Sequence, residues 1–383
     1  MTRGDELLRR AAFDEAGAWF EDAAAGGSAE ARLKLGEIAL LRNDLAEAES
    51  HLVKLVPSDD EAIVAERDRF LAEMWTRQDR FGEAAPRERA IGQDARADRA
   101  EAIPETGAYL VSGADNAVVP FVRTDPLPVL EATVHGETAK LFIDTGAWEL
   151  ILDDRFAERV GIRTFGAVRG QFAGGRTADV EVGLADVVSL DSMDVRNVPV
   201  HVKAMEPMTR SVLGEELDGV IGTVFLYHFL STLDYANGAL RLEPRGSRPS
   251  TVAQAVPFWL AGRHFVLAQG EVNGHGPMLF HIDTGLAGGG FLCGPSTIER
   301  AGIALDETRA AEGMGGGGPV RVIPVDIEQL ALGPVRRGPV QGIFAEAHPS
   351  EAYGLELGGI VSHQFFREGS VAFDFDRMRL HIT

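Results

Sequence analysis

Asp-Thr-Gly occurs twice in this 383-residue chain, at Asp144-Thr145-Gly146 and at Asp283-Thr284-Gly285. Each copy ends an apolar, strand-like run, Leu141-Phe142-Ile143 in the first and Met278-Leu279-Phe280-His281-Ile282 in the second. Two carboxylates on matched turns suit one kind of chemistry well. Held close enough to share a proton, one acts as base toward a water and the other as acid toward the carbonyl that the water attacks. A single such tripeptide reads as an ordinary turn, because Asp and Gly are common turn residues. Two copies inside a longer repeated pattern define a candidate pair of acids.

Other chemistries find less support. The glycine run from Gly315 to Gly318 is not followed by the Lys-Ser or Lys-Thr of a phosphate loop, and neither His-Glu-x-x-His nor Gly-x-Ser-x-Gly occurs. Cys293 is the only cysteine, which excludes an intrachain disulfide and a Cys-based metal cluster. Within Phe291-Leu292-Cys293 it reads as a small buried apolar residue. Asp186, Asp191 and Asp194 lack the spacing of a calcium loop and read as a solvated hairpin. His281 stands two residues before Asp283, so strand alternation puts both on one face; it reads as a hydrogen-bonded strand histidine, the alternative being an imidazolium that favours carboxylate ionisation. No cofactor and no metal is expected.

The elements that must position the two acids come as an internal duplication. Ala117 to Phe121 aligns with Gln254 to Phe258, and Thr133-Val134-His135-Gly136 aligns with Glu271-Val272-Asn273-Gly274. After each Asp-Thr-Gly comes a glycine-rich hairpin tip, Gly170 to Gly175 and Gly313 to Gly318. Leu217-Asp218-Gly219-Val220-Ile221-Gly222 then matches Leu357-Gly358-Gly359-Ile360-Val361-Ser362. Leu233-Asp234-Tyr235 finally matches Phe373-Asp374-Phe375. The alternating β-branched residues and many glycines predict an all-β region from residue 117 onward. Pro244 to Thr251, rich in Pro, Arg and Ser, reads as the link between the two copies.

The first 98 residues differ. They are rich in Ala, Glu, Leu and Arg, with apolar residues at three- and four-residue spacing, and they predict helices. Leu35, Ile38 and Leu41, followed by Leu45, Ala48 and Leu52, suggest an antiparallel pair turned at Asn43-Asp44. Phe70, Met74 and Trp75, then Phe81, Ala84 and Ala85, suggest a second. The spacing from Gly36 to Ala72 equals that from Ala48 to Ala84, which resembles tetratricopeptide repeats with small residues where two helices touch. Residues 99–116 mix Gly, Pro and charge and read as a linker. The expected division is therefore a helical region 1–98, a linker 99–116, and β lobes 117–246 and 247–383.

The β region resembles the retropepsin-like aspartic peptidases. That resemblance implies two closed-barrel lobes in one chain, an Asp-Thr-Gly loop beside an apolar-apolar-Gly strand in each, and a glycine-rich flap closing over substrate. It implies that Asp144 and Asp283 are the catalytic dyad, supported by Thr145, Thr284, Gly146 and Gly285, with the threonines bonding across to the opposite loop. Phe172 and Gly174 in the first tip, and Met314 and Gly316 in the second, are the implied flap contacts to substrate. A fused pair of lobes removes the need for dimerisation to build the site. The implied activity is endopeptidase cleavage of a peptide or protein substrate; the alternative is an inactive peptide-binding adaptor that keeps the fold. Ala147 follows the first Gly, while the bulkier Leu286 follows the second, and Ser362 stands where the first lobe has Gly222.

Bulk properties narrow partners rather than chemistry. The formal net charge of −21 argues against wrapping a nucleic acid or an anionic membrane surface. No stretch of about 18 apolar residues occurs, so no membrane span is expected. The start, Met1 to Glu6, lacks a signal-peptide hydrophobic segment, so a cytoplasmic location is expected, with a periplasmic or secreted one as the alternative if an upstream segment was removed. The helical region is the expected seat of any protein partner.

Overall fold

The computed structural model describes residues 2–55, 60–171, 177–250, 252–315, 318–346 and 351–383. Seven helices lead: α1 (Arg3–Arg9), α2 (Phe13–Ala25), α3 (Ala29–Leu41), α4 (Leu45–Leu52), α5 (Glu61–Arg77), α6 (Phe81–Ala90) and α7 (Asp94–Ala102). Asn43 takes a positive φ between α3 and α4, and the Asp44 side chain caps α4 by accepting from the Glu47 N–H. Gly36 is the point of closest approach of that pair, since a β-carbon there would lie 2.6 Å from Leu52. Residues 99–116, read from the sequence as a linker, hold the end of α7 and a strand, Leu110–Gly113, that pairs with Met193–Val202 of the first lobe.

The rest is two β-rich lobes of one plan. The strand ending at each Asp runs parallel to an apolar strand from later in its own lobe. Asp144 stands in register with Gly222 and Asp283 with Ser362. A three-residue strand just after each loop, Leu150–Leu152 or Phe291–Cys293, pairs parallel with one neighbour and antiparallel with the other. The chain makes its tight reversals before the two acids at His135-Gly136 and Asn273-Gly274, all at positive φ, as the hairpin turn that matches strand twist requires.

A single antiparallel sheet crosses the boundary between lobes. Its order is Ala117–Arg123, Ala239–Pro244, Phe229–Asp234, Ser370–Asp374, Arg379–Ile382 and Gln254–Ala261. The joining ladder pairs Ser231 with Phe373 and Asp234 with Ser370. Equivalent strands of the two copies thus meet at the centre, which fixes the lobes as a pseudo-symmetric pair. Buried side chains from both lobes, among them Phe225, Leu233, Phe258, Phe280, Phe291 and Phe373, form one continuous apolar core.

The helices are not a free-standing module. Phe13, Phe20, Leu35 and Ile38 share an apolar cluster with Leu267, Leu279, Leu355 and Leu357 of the second lobe. Arg77 of α5 is buried and donates to the carbonyl oxygens of Leu40 at 2.7 Å and Leu260 at 3.0 Å, and to the Glu73 carboxylate at 2.5 Å. Arg263 of the second lobe pairs with the buried Glu88 of α6. On the other side, Ala95 of α7 packs with Val168 and Val182 of the first lobe. Among the described residues, no helix is long and apolar enough to cross a membrane.

Candidate active site

Strand Glu137–Asp144 delivers Asp144, and strand His275–Asp283 delivers Asp283, to the floor between the lobes. The two carboxyl groups meet at one point between the loops: a β-carbon on Gly146 would lie 2.8 Å from Asp283 Oδ2 and 3.0 Å from Asp144 Oδ1. Each also accepts from the amide two residues on: Asp144 Oδ1 from Gly146 N at 2.7 Å, and Asp283 Oδ1 from Gly285 N at 2.9 Å. Both side chains remain partly accessible to solvent.

The loops lock together below the acids. Thr145 N donates to Thr284 Oγ1 at 3.0 Å, and Thr284 N donates to Thr145 Oγ1 at 3.1 Å. The same hydroxyls donate to carbonyl oxygens of the opposite strands, Thr145 to Ile282 at 2.7 Å and Thr284 to Ile143 at 3.2 Å. Both threonines are fully buried. Four satisfied bonds in a dry setting hold the loops in fixed register. The glycines are required by contact, not by φ. A β-carbon on Gly285 would fall 2.2 Å from Asp144 Cγ, and one on Gly146 would fall 2.8 Å from Asp283 Cγ.

Electrostatics follow from the closeness of like groups. Burial raises the Asp144 pKa above the ordinary carboxylate value, opposed by the hydrogen bonds it accepts. Burial, and then the neighbouring Asp144, raise Asp283 well above that value. Such a pair loses its two protons in separate steps and holds one proton over a wide interval.

The two departures in the second lobe have a structural explanation. In the first lobe the loop passes directly over Gly222, where a β-carbon would meet the Glu149 and Trp148 carbonyl oxygens at 2.4 and 2.6 Å. Those of Ala147 and Trp148 accept from Thr223 N and Val224 N. In the second lobe a longer loop, Leu286-Ala287-Gly288-Gly289-Gly290, intervenes before the short strand. Ser362 N donates instead to Gly290 O at 3.1 Å, and the Ser362 hydroxyl accepts from Gln364 N at 3.1 Å. Serine is thereby accommodated. Leu286 is partly exposed.

Of the residues implied to contact substrate, Phe172, Gly174 and Gly316 lie outside the described residues. Met314 is described in its backbone alone, paired with Pro319 in the hairpin of Ala311–Gly315 and Gly318–Ile327. The corresponding first-lobe stem joins Arg163–Gln171 to Thr177–Leu190. His281 is buried and stacked on Phe265 at 4.3 Å between ring centroids. Cys293 is buried, and burial pushes its thiol up to about 12. Among the described residues no group of three or more His, Cys, Asp or Glu is placed to hold a metal ion.

Two features escaped the sequence. Helix Glu206–Leu213 packs against strand Ala311–Gly315 of the second lobe. With Met205, its Met208 and Val212 join Ala147 and Ala287, the residues just past the two Asp-Thr-Gly turns, in one apolar cluster. Its local signals were present: Pro207 in the first turn and Gly214 in the left-handed conformation at its end. The second feature is the Trp148-Glu149 pair, which continues the Asp144 loop and meets α7.

Fold and site together define a two-lobed aspartic-protease architecture in which each lobe contributes one acid. A family model described as aspartyl protease matches residues 130–225 and 268–359, one copy in each lobe. The two lobes belong to that family, as a tandem retropepsin-like pair preceded by helices. No curated protein matches the chain.

Proposed function

We propose that this chain is an aspartic endopeptidase in which Asp144 and Asp283 form the catalytic dyad. The observation that carries the reading is the meeting of two carboxyl groups at one point on loops locked by reciprocal Thr145–Thr284 bonds. The pair shares one proton, and the cycle starts with it on Asp283. Asp144 removes a proton from water, and the resulting hydroxide attacks the peptide carbonyl carbon. Asp283 gives its proton to the carbonyl oxygen, so the intermediate is a neutral gem-diol. Collapse reverses the traffic: the proton on Asp144 passes to the leaving nitrogen, the C–N bond breaks, and a gem-diol hydroxyl returns a proton to Asp283. No covalent intermediate and no metal is needed.

Substrate is an extended peptide lying between the lobes, bonded through its backbone to the hairpins that carry Phe172, Gly174, Met314 and Gly316. The tetratricopeptide-like reading of residues 1–98, and the division at 99–116 and 246/247, belong to the same proposal. Packing of α1–α3 on the second lobe supports a helical region that works with the lobes.

Incubation with a mixed peptide library over a broad pH range tests the reading. Cleavage blocked by a statine-containing peptide is expected. Binding of that peptide with no cleavage at any pH would replace the peptidase by the adaptor reading.

A further inference from the structure

We propose that α7 is a positioning element of the active site, and that Arg99 holds the Asp144 loop in place through Glu149. The proposal rests on the dyad reading above and adds a residue outside the two lobes to it. Glu149 belongs to the same loop as Asp144, and Leu150 begins the next strand. Arg99 grips it with two parallel bonds, Nη1 to Oε2 at 2.6 Å and Nη2 to Oε1 at 2.9 Å. Arg99 Nη1 also donates to Val200 O at 3.3 Å, on the strand beside Leu150. His201 Nδ1 lies 3.2 Å from Glu149 Oε2. All three side chains are buried. One turn earlier on α7, the Arg96 guanidinium sits 5.4 Å from the Trp148 ring.

The chemistry of this contact favours geometry over stability. A buried ion pair gains little over well-packed apolar residues, because both charges must be stripped of water. What a two-pronged guanidinium–carboxylate pair adds is a fixed direction for both groups. The fixed group here is continuous in sequence with an acid that must stay within hydrogen-bond reach of its partner. The same helix also rests Ala95 over the bulge at Gly166 in the first-lobe hairpin stem, so α7 touches both that stem and the loop that follows Asp144. Among the described residues no ion pair holds the second-lobe loop, which is glycine-rich, with Gly288 exposed. Both acids are thus held by their lobes and the threonine lock, and Asp144 by the helical region as well.

The test uses the full-length chain. Replacing both partners, Arg99→Met with Glu149→Leu, removes the tether without leaving an orphan charge, and Glu149→Gln keeps the shape while removing the charge. Two readouts are taken: kcat and KM on a peptide cleaved by the unmodified protein, and amide hydrogen exchange of residues 145–149 against residues 284–288. The double variant is expected to lose about tenfold or more in kcat, with KM changed by less than about twofold, as a misplaced reacting group demands. Its amides at 145–149 should exchange at least about tenfold faster, those at 284–288 at the original rate. Glu149→Gln should fall between, and it decides the matter by the same readouts if the double variant does not fold. Folded variants with unchanged kcat and unchanged exchange at 145–149 would overturn the proposal. If the unmodified protein cleaves nothing, the dyad reading fails, and the exchange arm still judges the tether.

Discussion

Thr145 and Thr284 exchange hydrogen bonds across the boundary between the lobes, each backbone N–H donating to the other's hydroxyl, at 3.0 and 3.1 Å. Each hydroxyl is also a donor to the strand that carries the opposite acid. Removing one leaves a buried amide and a buried carbonyl oxygen unpaired, at a cost of about 1–3 kcal/mol each. Thr145→Ala and Thr284→Ala should therefore lower the melting temperature and reduce kcat together. Thr→Ser at either position keeps the hydroxyl and should restore most of both. Calorimetry with single-turnover kinetics checks this; an alanine variant with full stability and full kcat would show that the lock is idle.

The glycines beside the acids give a sharper steric prediction. A methyl group at position 285 would occupy space 2.2 Å from Asp144 Cγ. Gly285→Ala should push that carboxyl off its line and lower kcat by about a hundredfold or more, since displacements near 1 Å carry such penalties. The overall fold should survive, because neighbouring residues keep their packing. Near-normal turnover in this variant would mean that the Asp144 position is not critical.

Stability should carry the signature of the paired carboxyls. Asp283 is raised well above the ordinary value by burial and by Asp144, so the folded protein keeps a proton there that the unfolded chain releases. Between the unfolded and folded pKa the folded state binds more protons, and stability falls as pH rises through that window. Asp283→Asn removes the penalty while its amide still donates toward Asp144. The variant should be more stable than the parent at pH 7 and closer to it near pH 3, as chemical denaturation at the two pH values can measure. An equal difference at both would show that the pair carries no such strain.

How much of this was legible depended on whether the signal was local. The two Asp-Thr-Gly turns, the His135-Gly136 and Asn273-Gly274 reversals and the Gly222/Ser362 strands are short motifs whose chemistry sits within a few residues, and their repetition at one register exposed both lobes. Arg99 and Glu149 look like ordinary charges in sequence. Their partnership is a tertiary fact, made by α7 reaching a loop in another part of the chain. Ser362 read as a departure because the extra loop length that relieves it lies earlier, at Gly288 to Gly290. The lobe junction is made by Phe229–Asp234 and Ser370–Asp374, with the terminal strand Arg379–Ile382 one place away; periodicity marks strands but not their spatial order.

The docking of the helices carries its own prediction. Deleting Met1 to Ala97 would bare Leu267, Leu279, Leu355 and Leu357 and leave the lobes without the Arg77 contacts to Leu260. An apolar patch of that kind drives association. The truncated chain should aggregate, and Arg77→Met in the full chain should cost about 3 kcal/mol, because the buried Glu73 keeps only the longer pairing with Arg69 at 3.9 Å. Size-exclusion chromatography and denaturant titration measure the two. A monomeric, fully active truncation would confine the helices to a targeting role.

The sharing of one proton between Asp144 and Asp283 is tested most directly by single-turnover cleavage of a cleavable peptide by Asp144→Asn and Asp283→Asn, alongside circular dichroism to confirm that both fold. Each variant alone should lose essentially all turnover while keeping the parent spectrum. Substantial residual cleavage by either folded variant would contradict a site in which two carboxyls act as one acid and one base.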